Sequence, residues 1–214
     1  MTESRTRILD RLRQSGRAKK TGPEIGVRTF DWDRTECVDR FERQLQAVRA
    51  EVLRVDQRWP EQLADHLGES GVKNLRFGPE GRLAKELVAG WPANGPELVR
   101  HSQPIEDCRK TLFAETDAAF TSARAGIAET GSLVLWPDSA EPRLLSLVPP
   151  IHCVLIEADR IRSTLHGLMA DEGWSNGLPA NVLLISGPSK SADIEQTLAY
   201  GVHGPARLVV MIRS

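Results

Sequence analysis

Ile151-His-Cys-Val-Leu-Ile156 is an almost continuous run of apolar, β-prone residues, entered through Pro149-Pro150. A strand that is apolar on both sides has to be covered on both sides, which is the pattern of a buried strand in a parallel sheet. Outward from this run, strands and helices alternate. Downstream, the pattern predicts a helix around Ser163–Ala170, a strand at Val182–Ile185, a helix from Ala192 to Tyr200 and a last strand at Leu208–Ile212. Upstream, it predicts strands at Val72–Phe77 and Leu98–His101, with a helix after Pro79 running to Ala89 and another at Glu106–Phe113. Three short strands, Ala118–Thr121, Gly126–Ala128 and Ser132–Trp136, follow too closely for crossover helices and imply a local antiparallel or mixed part. The fold class expected is α/β, with a mostly parallel sheet covered on both faces.

The N-terminal third reads differently. Val38, Phe41, Leu45, Val48, Val52 and Val55 follow spacings of 3, 4, 3, 4, 3 and predict one helix over 35–57 with a single apolar stripe. Trp59-Pro60 opens a second helix to Glu69, punctuated by Gly68 and Gly71. The first twenty residues hold Arg5, Arg7, Arg11, Arg13, Arg17, Lys19 and Lys20 against Glu3 and Asp10, and Ile8 and Leu12 share a face of a short helix over 4–15. Residues 17–31 lack periodicity. The division expected is a basic arm and flexible connection over 1–34, a helical segment over 35–70 that packs on the main domain, and an α/β domain over 71–214.

Composition narrows the classes. The chain has 214 residues, 40% hydrophobic and 27% charged, with a net charge of −1. That supports one domain of generous size with a real core, and excludes wholesale disorder. The charge balance argues against a nucleic-acid binder. No apolar run approaches the roughly 20 residues of a membrane helix, and the N-terminus lacks the apolar core of a secretory signal. A cytoplasmic location is expected. Cys37, Cys108 and Cys153 are far apart with no CxxC, so they read as small buried hydrophobes, not as metal or cluster ligands. His101 and His166 read as surface or helix-face residues, and His152 as a structural histidine opening a strand.

Three segments can carry chemistry. Val182-Leu-Leu-Ile-Ser-Gly-Pro-Ser-Lys-Ser-Ala-Asp-Ile-Glu195 places a strand directly before a helix, so that Ser186, Gly187, Ser189, Lys190 and Ser191 line an anion site at a helix N-terminus. The alternative is an ordinary capped turn. It is not a Walker loop, since the GxxxxGK[ST] spacing is absent. Glu129-Thr130-Gly131, between two strands, offers a base or nucleophile, or else a turn carboxylate bonding nearby backbone. His203, between Gly201 and Gly204, stands in a polar loop before the last strand. Together these predict one cleft holding Glu129, Ser189 and His203.

Ala128-Glu-Thr-Gly-Ser132, Pro149-Pro-Ile-His-Cys-Val154, Gly187-Pro-Ser-Lys-Ser-Ala-Asp-Ile-Glu195 and Gly201-Val-His-Gly-Pro205 together resemble the LUD-domain family, the lactate-utilisation C-type proteins. The resemblance runs from about 114 to 213 and extends toward 72. It implies a three-layer fold like that of the NagB/RpiA/CoA-transferase superfamily with an N-terminal helical extension. It also implies a place in bacterial L-lactate oxidation to pyruvate, as a cofactor-free subunit beside partners that carry iron–sulfur clusters. The pocket would take a small carboxylate or phosphate, lined by Thr130, Gly131, Ser186, Gly187, Ser189, Lys190, Ser191 and Gly204, with Glu129 and His203 as catalytic groups. Glu129-Thr130-Gly131 resembles the Glu-Asn-Gly turn of class I CoA-transferases, with Thr replacing Asn. The alternatives are a stand-alone CoA-ester or sugar-phosphate enzyme using Glu129, and a non-catalytic assembly factor. A homo-oligomer is compatible with each.

Overall fold

The computed structural model describes residues 2–15, 26, 28–102, 105–192, 198–201 and 203–214. The elements are α1 (Thr2–Ser15), α2 (Arg34–Ala47), β1 (Glu51–Val55), α3 (Trp59–Glu69), β2 (Asn74–Phe77), α4 (Ala84–Gly90), β3 (Glu97–Arg100), α5 (Ile105–Ala114), β4 (Ala118–Ser122), β5 (Ala125–Ile127), β6 (Ser132–Leu135), α6 (Leu144–Leu147), β7 (Ile151–Glu157), β8 (Ile161–Arg162), α7 (Leu165–Asp171), β9 (Leu183–Ile185), β10 (Lys190–Ala192), β11 (Leu198–Tyr200) and β12 (Arg207–Arg213). Six strands form the main sheet in the order β1-β12-β7-β4-β2-β3, every pair parallel. A second, mixed sheet runs β8-β5-β6-β9. The α/β class is as expected; of the three short strands, β5 and β6 form the antiparallel pair, whereas β4 lies in the parallel sheet between β2 and β7.

β7 and β12 are adjacent interior strands, and their alternating residues face opposite cores. Val154, Ile156, Val210 and Ile212 pack with Phe41 and Leu45 of α2 and with Leu133 and Leu135 of the small sheet. Cys153, Leu155, Val209 and Met211 pack with Trp59, Leu63 and Leu67 of α3 and with Leu87 of α4. The far side of the small sheet is covered by Leu168 and Trp174. Each fully buried large side chain here contributes about 1.5–3 kcal/mol.

The single helix expected over 35–57 is two elements. Asp33 caps α2 by accepting from the Glu36 N–H at 2.8 Å. The helix ends after Ala47, where the Ala50 N–H donates to the Leu45 carbonyl and the Arg49 N–H to the Gln46 carbonyl. That is the Schellman pattern, with Arg49 rather than glycine in the left-handed position at φ 68°. Val52 and Val55 therefore lie on β1, the edge strand beside β12. The stripe misled because 3,4 spacing continues by coincidence across a turn that carries no glycine. The segment expected to be wholly helical supplies a strand of the main sheet.

Three further expectations change. The helix from Ala192 to Tyr200 is replaced at both ends by an antiparallel ladder, Lys190 opposite Tyr200 and Ala192 opposite Leu198; residues 193–197, with Asp193 and Glu195, lie outside the described residues. The strand at Val182–Ile185 belongs to the small sheet, where β9 runs antiparallel to β6 at the edge. The loop that follows it packs against Val48 ahead of β1 and Pro205 ahead of β12, and so lies away from the carboxyl edge of the parallel sheet. His101, expected at the surface, is buried, with Nδ1 at 4.0 Å from Cys108 Sγ. Cys37, Cys108 and Cys153 are buried, in keeping with their reading as small hydrophobes. Most of the expected flexible connection, 16–25 and 27, lies outside the described residues.

Candidate functional site

The predicted residues gather near the segments that lead into β1, β7 and β12, at the amino edge of the main sheet. Glu129, Thr130 and Gly131 make the bend between β5 and β6. Gly131 has φ 63°, and a Cβ there would stand 2.6 Å from Gln44 Cβ on α2, so glycine is demanded by helix packing. The Glu129 N–H donates to the Ser163 carbonyl at 3.0 Å, and its carboxylate lies 3.4 Å from Arg28 Nη1. Thr130 Oγ1 and Ser132 Oγ are 2.7 Å apart, and Ser132 Oγ is 2.7 Å from Ser186 Oγ. This hydroxyl chain joins the Glu129 bend to the Ser186 loop. Ser132 was not singled out from the sequence; its place opposite Ser186 requires the β6–β9 pairing.

Gly187, at φ 139°, lies against the C-cap of α2: a Cβ would meet Val48 Cγ2 at 2.7 Å. The Ser189 N–H donates to the Pro205 carbonyl, and the Gly201 N–H donates to the Ser189 carbonyl. Gly204 faces Ser189 closely, a Cβ there lying 3.2 Å from Ser189 Cβ. Lys190 and His203 are exposed. Ser191 follows Lys190 in β10. The structure thus brings Thr130 to Ser186 and Ser189 to Gly204. Among the described residues no hydrogen bond or ion pair joins Glu129 to Ser189 or to His203. Because Ser191 is in a strand, the dipole of a helix beginning there is not available to an anion.

A cavity lies at the opposite edge. The segments that follow β2, β4 and β6 enclose a cleft of about 580 Å³, at the carboxyl ends of parallel strands where open α/β sheets hold ligands. None of the predicted site residues lines it. Its charged groups are Glu80, Arg82, Arg124, Asp138, Glu141 and Arg160. Arg124 is paired with Glu172 at 2.8 Å and lies over the Trp136 ring at 3.9 Å. Arg82 is 3.7 Å from Glu157. Arg160 is exposed and makes no ion pair among the described residues.

Glu141 is the most constrained of these groups. Ser122, the last residue of β4, donates its backbone N–H to Glu141 Oε2 at 2.8 Å and its hydroxyl to the same carboxylate at 3.0 and 3.1 Å. Asp138 holds the loop by accepting from the N–H groups of Ala140 and Glu141 at 2.8 and 2.9 Å. Burial pushes the Glu141 carboxyl above its ordinary range, against the Ser122 bonds and the Arg82 charge. Sequence reading missed this site because Ser122 and Glu141 meet only in the tertiary fold. The available signal was a short buried strand ending directly in Ser122, with Arg124 two residues on.

Deeper in the fold, His152 Nε2 is 2.8 Å from Thr121 Oγ1 and the ring is fully enclosed. Burial pulls its pKa down to about 3, so it is a neutral structural histidine. Among the described residues no group of three or more His, Cys, Asp or Glu is arranged to hold a metal ion, and no helix is long and apolar enough to cross a membrane.

Residues 38–212 match the LUD domain family. The chain is 32% identical over 222 residues to an uncharacterized protein of Neisseria meningitidis serogroup B, covering 97% of this chain and 92% of that protein. It is 30% identical to lactate utilization protein C of Halalkalibacterium halodurans, over 64% of this chain and 57% of that protein. For the protein of the same name from Bacillus subtilis, identity is 28%, over 66% and 60%. The fold matches the crystal structure of a DUF162 family protein from Deinococcus radiodurans with a TM-score of 0.63 at 23% identity, covering 86% of this chain and 99% of that one. Since the family match takes in both core faces, both sheets and the walls of the cleft, the chain belongs to the LUD domain family.

Proposed function

We propose that this chain serves lactate utilisation by binding a small 2-hydroxy or 2-oxo carboxylate in the cleft at the carboxyl edge of the main sheet. The supporting observation is that cleft, which sets Arg82, Arg124 and Arg160 around a buried, anchored carboxyl group, Glu141. Arg124 is held by Glu172 at 2.8 Å and Arg82 leans toward Glu157 at 3.7 Å, whereas Arg160 makes no ion pair among the described residues and is the cation that meets the ligand carboxylate. An arginine suits this role because its fork matches a carboxylate's two oxygens. The relatives named lactate utilization protein C supply the class of ligand.

In this reading the chain is a cofactor-free subunit. Its three cysteines are dispersed and buried, and iron–sulfur clusters and electron transfer in L-lactate oxidation to pyruvate belong to partner subunits. The hydroxyl chain of Thr130, Ser132 and Ser186 and the loop of Ser189, Lys190 and Gly204 form a second polar surface at the opposite edge, available to a phosphate or to a partner. Calorimetric titration of L-lactate, pyruvate and phosphate into the wild-type chain and Arg160→Ala tests the reading. Salt-sensitive carboxylate binding that Arg160→Ala abolishes is expected. Absence of binding to the wild type, or binding unchanged by the substitution, overturns it. Co-purification of Cys-rich iron–sulfur proteins with the tagged full chain tests the subunit role.

A further inference from the structure

Trp136 carries a polar group that the cleft's other contacts leave unexplained. Its indole helps to line the cleft beneath Arg124, yet its Nε1–H is buried with no acceptor among the described residues. Buried donors are almost always paired, with protein, water or ligand. The same tryptophan, with Thr121, Ser122, Glu141 and Ser146, lines a small chamber of about 10 Å³. That is close to the space of one water-sized atom. Ser122, Trp136 and Glu141 line both spaces, so the chamber adjoins the cleft at its inner end. Glu141 is held there by the Ser122 backbone and hydroxyl, in a fixed orientation and with acceptor capacity to spare.

We propose that this inner end is a subsite for the oxygen on the 2-position of the bound acid, where the Trp136 N–H donates to that oxygen and the protonation state of Glu141 selects a hydroxyl or a carbonyl. The inference rests on the reading of the cleft as a small-carboxylate site. An ionised Glu141 can only accept, so it takes the O–H of a 2-hydroxy acid. A protonated Glu141 donates its O–H to the C=O of a 2-oxo acid, which has no proton to give. The ligand carboxylate stays toward Arg160. Arg82 and Glu80 face this region from the segment after β2, Arg124 from the segment after β4, Arg160 from the segment after β7, and Asp138 from the loop that carries Glu141. Among them Arg82 favours the ionised form and Asp138 the neutral one, while burial favours the neutral form more strongly.

Two measurements on the full chain test the subsite. In ¹H–¹⁵N spectra, with the indole resonance assigned by Trp136→Phe, pyruvate or L-lactate moves the Trp136 indole proton downfield. In calorimetry, the ratio of pyruvate to L-lactate affinity falls about tenfold in the wild type as rising pH ionises Glu141. Glu141→Gln, verified as folded by near-ultraviolet circular dichroism, shows a flat ratio. Binding heat without movement of the Trp136 indole, or a wild-type ratio independent of pH, overturns the subsite and leaves the carboxylate reading standing. An equal pH dependence in Glu141→Gln also overturns it. No binding heat with either acid overturns both.

Discussion

Arg207, the first residue of β12, forks onto Glu51, the first residue of β1, with Nε and Nη2 at 2.8 and 2.9 Å from the two carboxylate oxygens. The pair fastens the edge strand contributed by the N-terminal third to its neighbour β12. His66 Nε2 of α3 lies 2.7 Å from the same carboxylate, and Arg207 also reaches Ser70 Oγ at 3.1 Å. The Arg207 hydrogen bond holds the Glu51 carboxyl below its ordinary value of 4.5. The stabilisation is therefore complete above that value and is lost as pH falls through the lower, folded one. Since both side chains are about one third exposed, Arg207→Ala is expected to cost about 1 kcal/mol at neutral pH, with the difference from wild type shrinking in acid. Urea midpoints of the two proteins at neutral and acid pH check this.

Leu45 has no exposed surface and closes the core between α2 and the main sheet. Leu45→Ala is expected to lower stability by about 2–5 kcal/mol, through lost burial and the cavity left behind. Val52 is only partly buried on β1, so Val52→Ala should cost less than half as much. Equal losses would contradict the division of 35–57 into a helix and a strand. Chemical denaturation followed by far-ultraviolet circular dichroism gives both values.

Gly131 and Gly187 both adopt left-handed backbone angles and both touch α2. Gly131→Ala sets a Cβ 2.6 Å from Gln44 Cβ at φ 63°, and should cost about 1–3 kcal/mol. Gly187→Val drives into Val48 and is expected to destabilise the protein whether or not a ligand is present. Thermal unfolding without ligand measures each loss. A neutral Gly131→Ala would show that the bend is free of α2.

His152 is neutral in the folded protein, with its pKa pulled from 6.5 to about 3 by burial. The unfolded chain binds a proton here that the folded chain refuses. Stability should therefore fall as pH drops from 6.5 toward 3, with a contribution of about 2 kcal/mol lost by pH 5. His152→Gln removes this part of the acid sensitivity, whatever its cost at neutral pH. Comparing the change in unfolding free energy between pH 7 and pH 5 in the two proteins isolates the effect.

Strands with strong local character were readable in advance. Ile151–Ile156 and Leu208–Ile212 are apolar on both faces and became interior strands of the main sheet. Trp59–Glu69 starts and stops where Pro60 and the glycines indicate. The 35–57 stripe failed because its helix ends at Arg49 in a left-handed conformation that side-chain identity does not announce. The segment after Gly187 failed because Ser191, Asp193 and Glu195 suit a helix start, whereas Lys190–Ala192 pairs with Leu198–Tyr200. Pairing partners that are distant in sequence overrode the local preference.

The sequence by itself determined the α/β class, the buried cysteines and the family motifs, because burial and turn chemistry act on neighbouring residues. The tertiary structure alone decided which edge of the sheet carries the cleft. The Ser186–Ser191 loop stands at the amino edge, where Gly187 lies against Val48 ahead of β1 and the Ser189 N–H donates to the Pro205 carbonyl ahead of β12. Ser122 at the end of β4 meets Trp136 and Glu141 of the segment between β6 and α6 at the carboxyl edge. Strand direction and order are global properties, set by how the two apolar faces of the six-stranded sheet are covered, and no local spacing of residues encodes them.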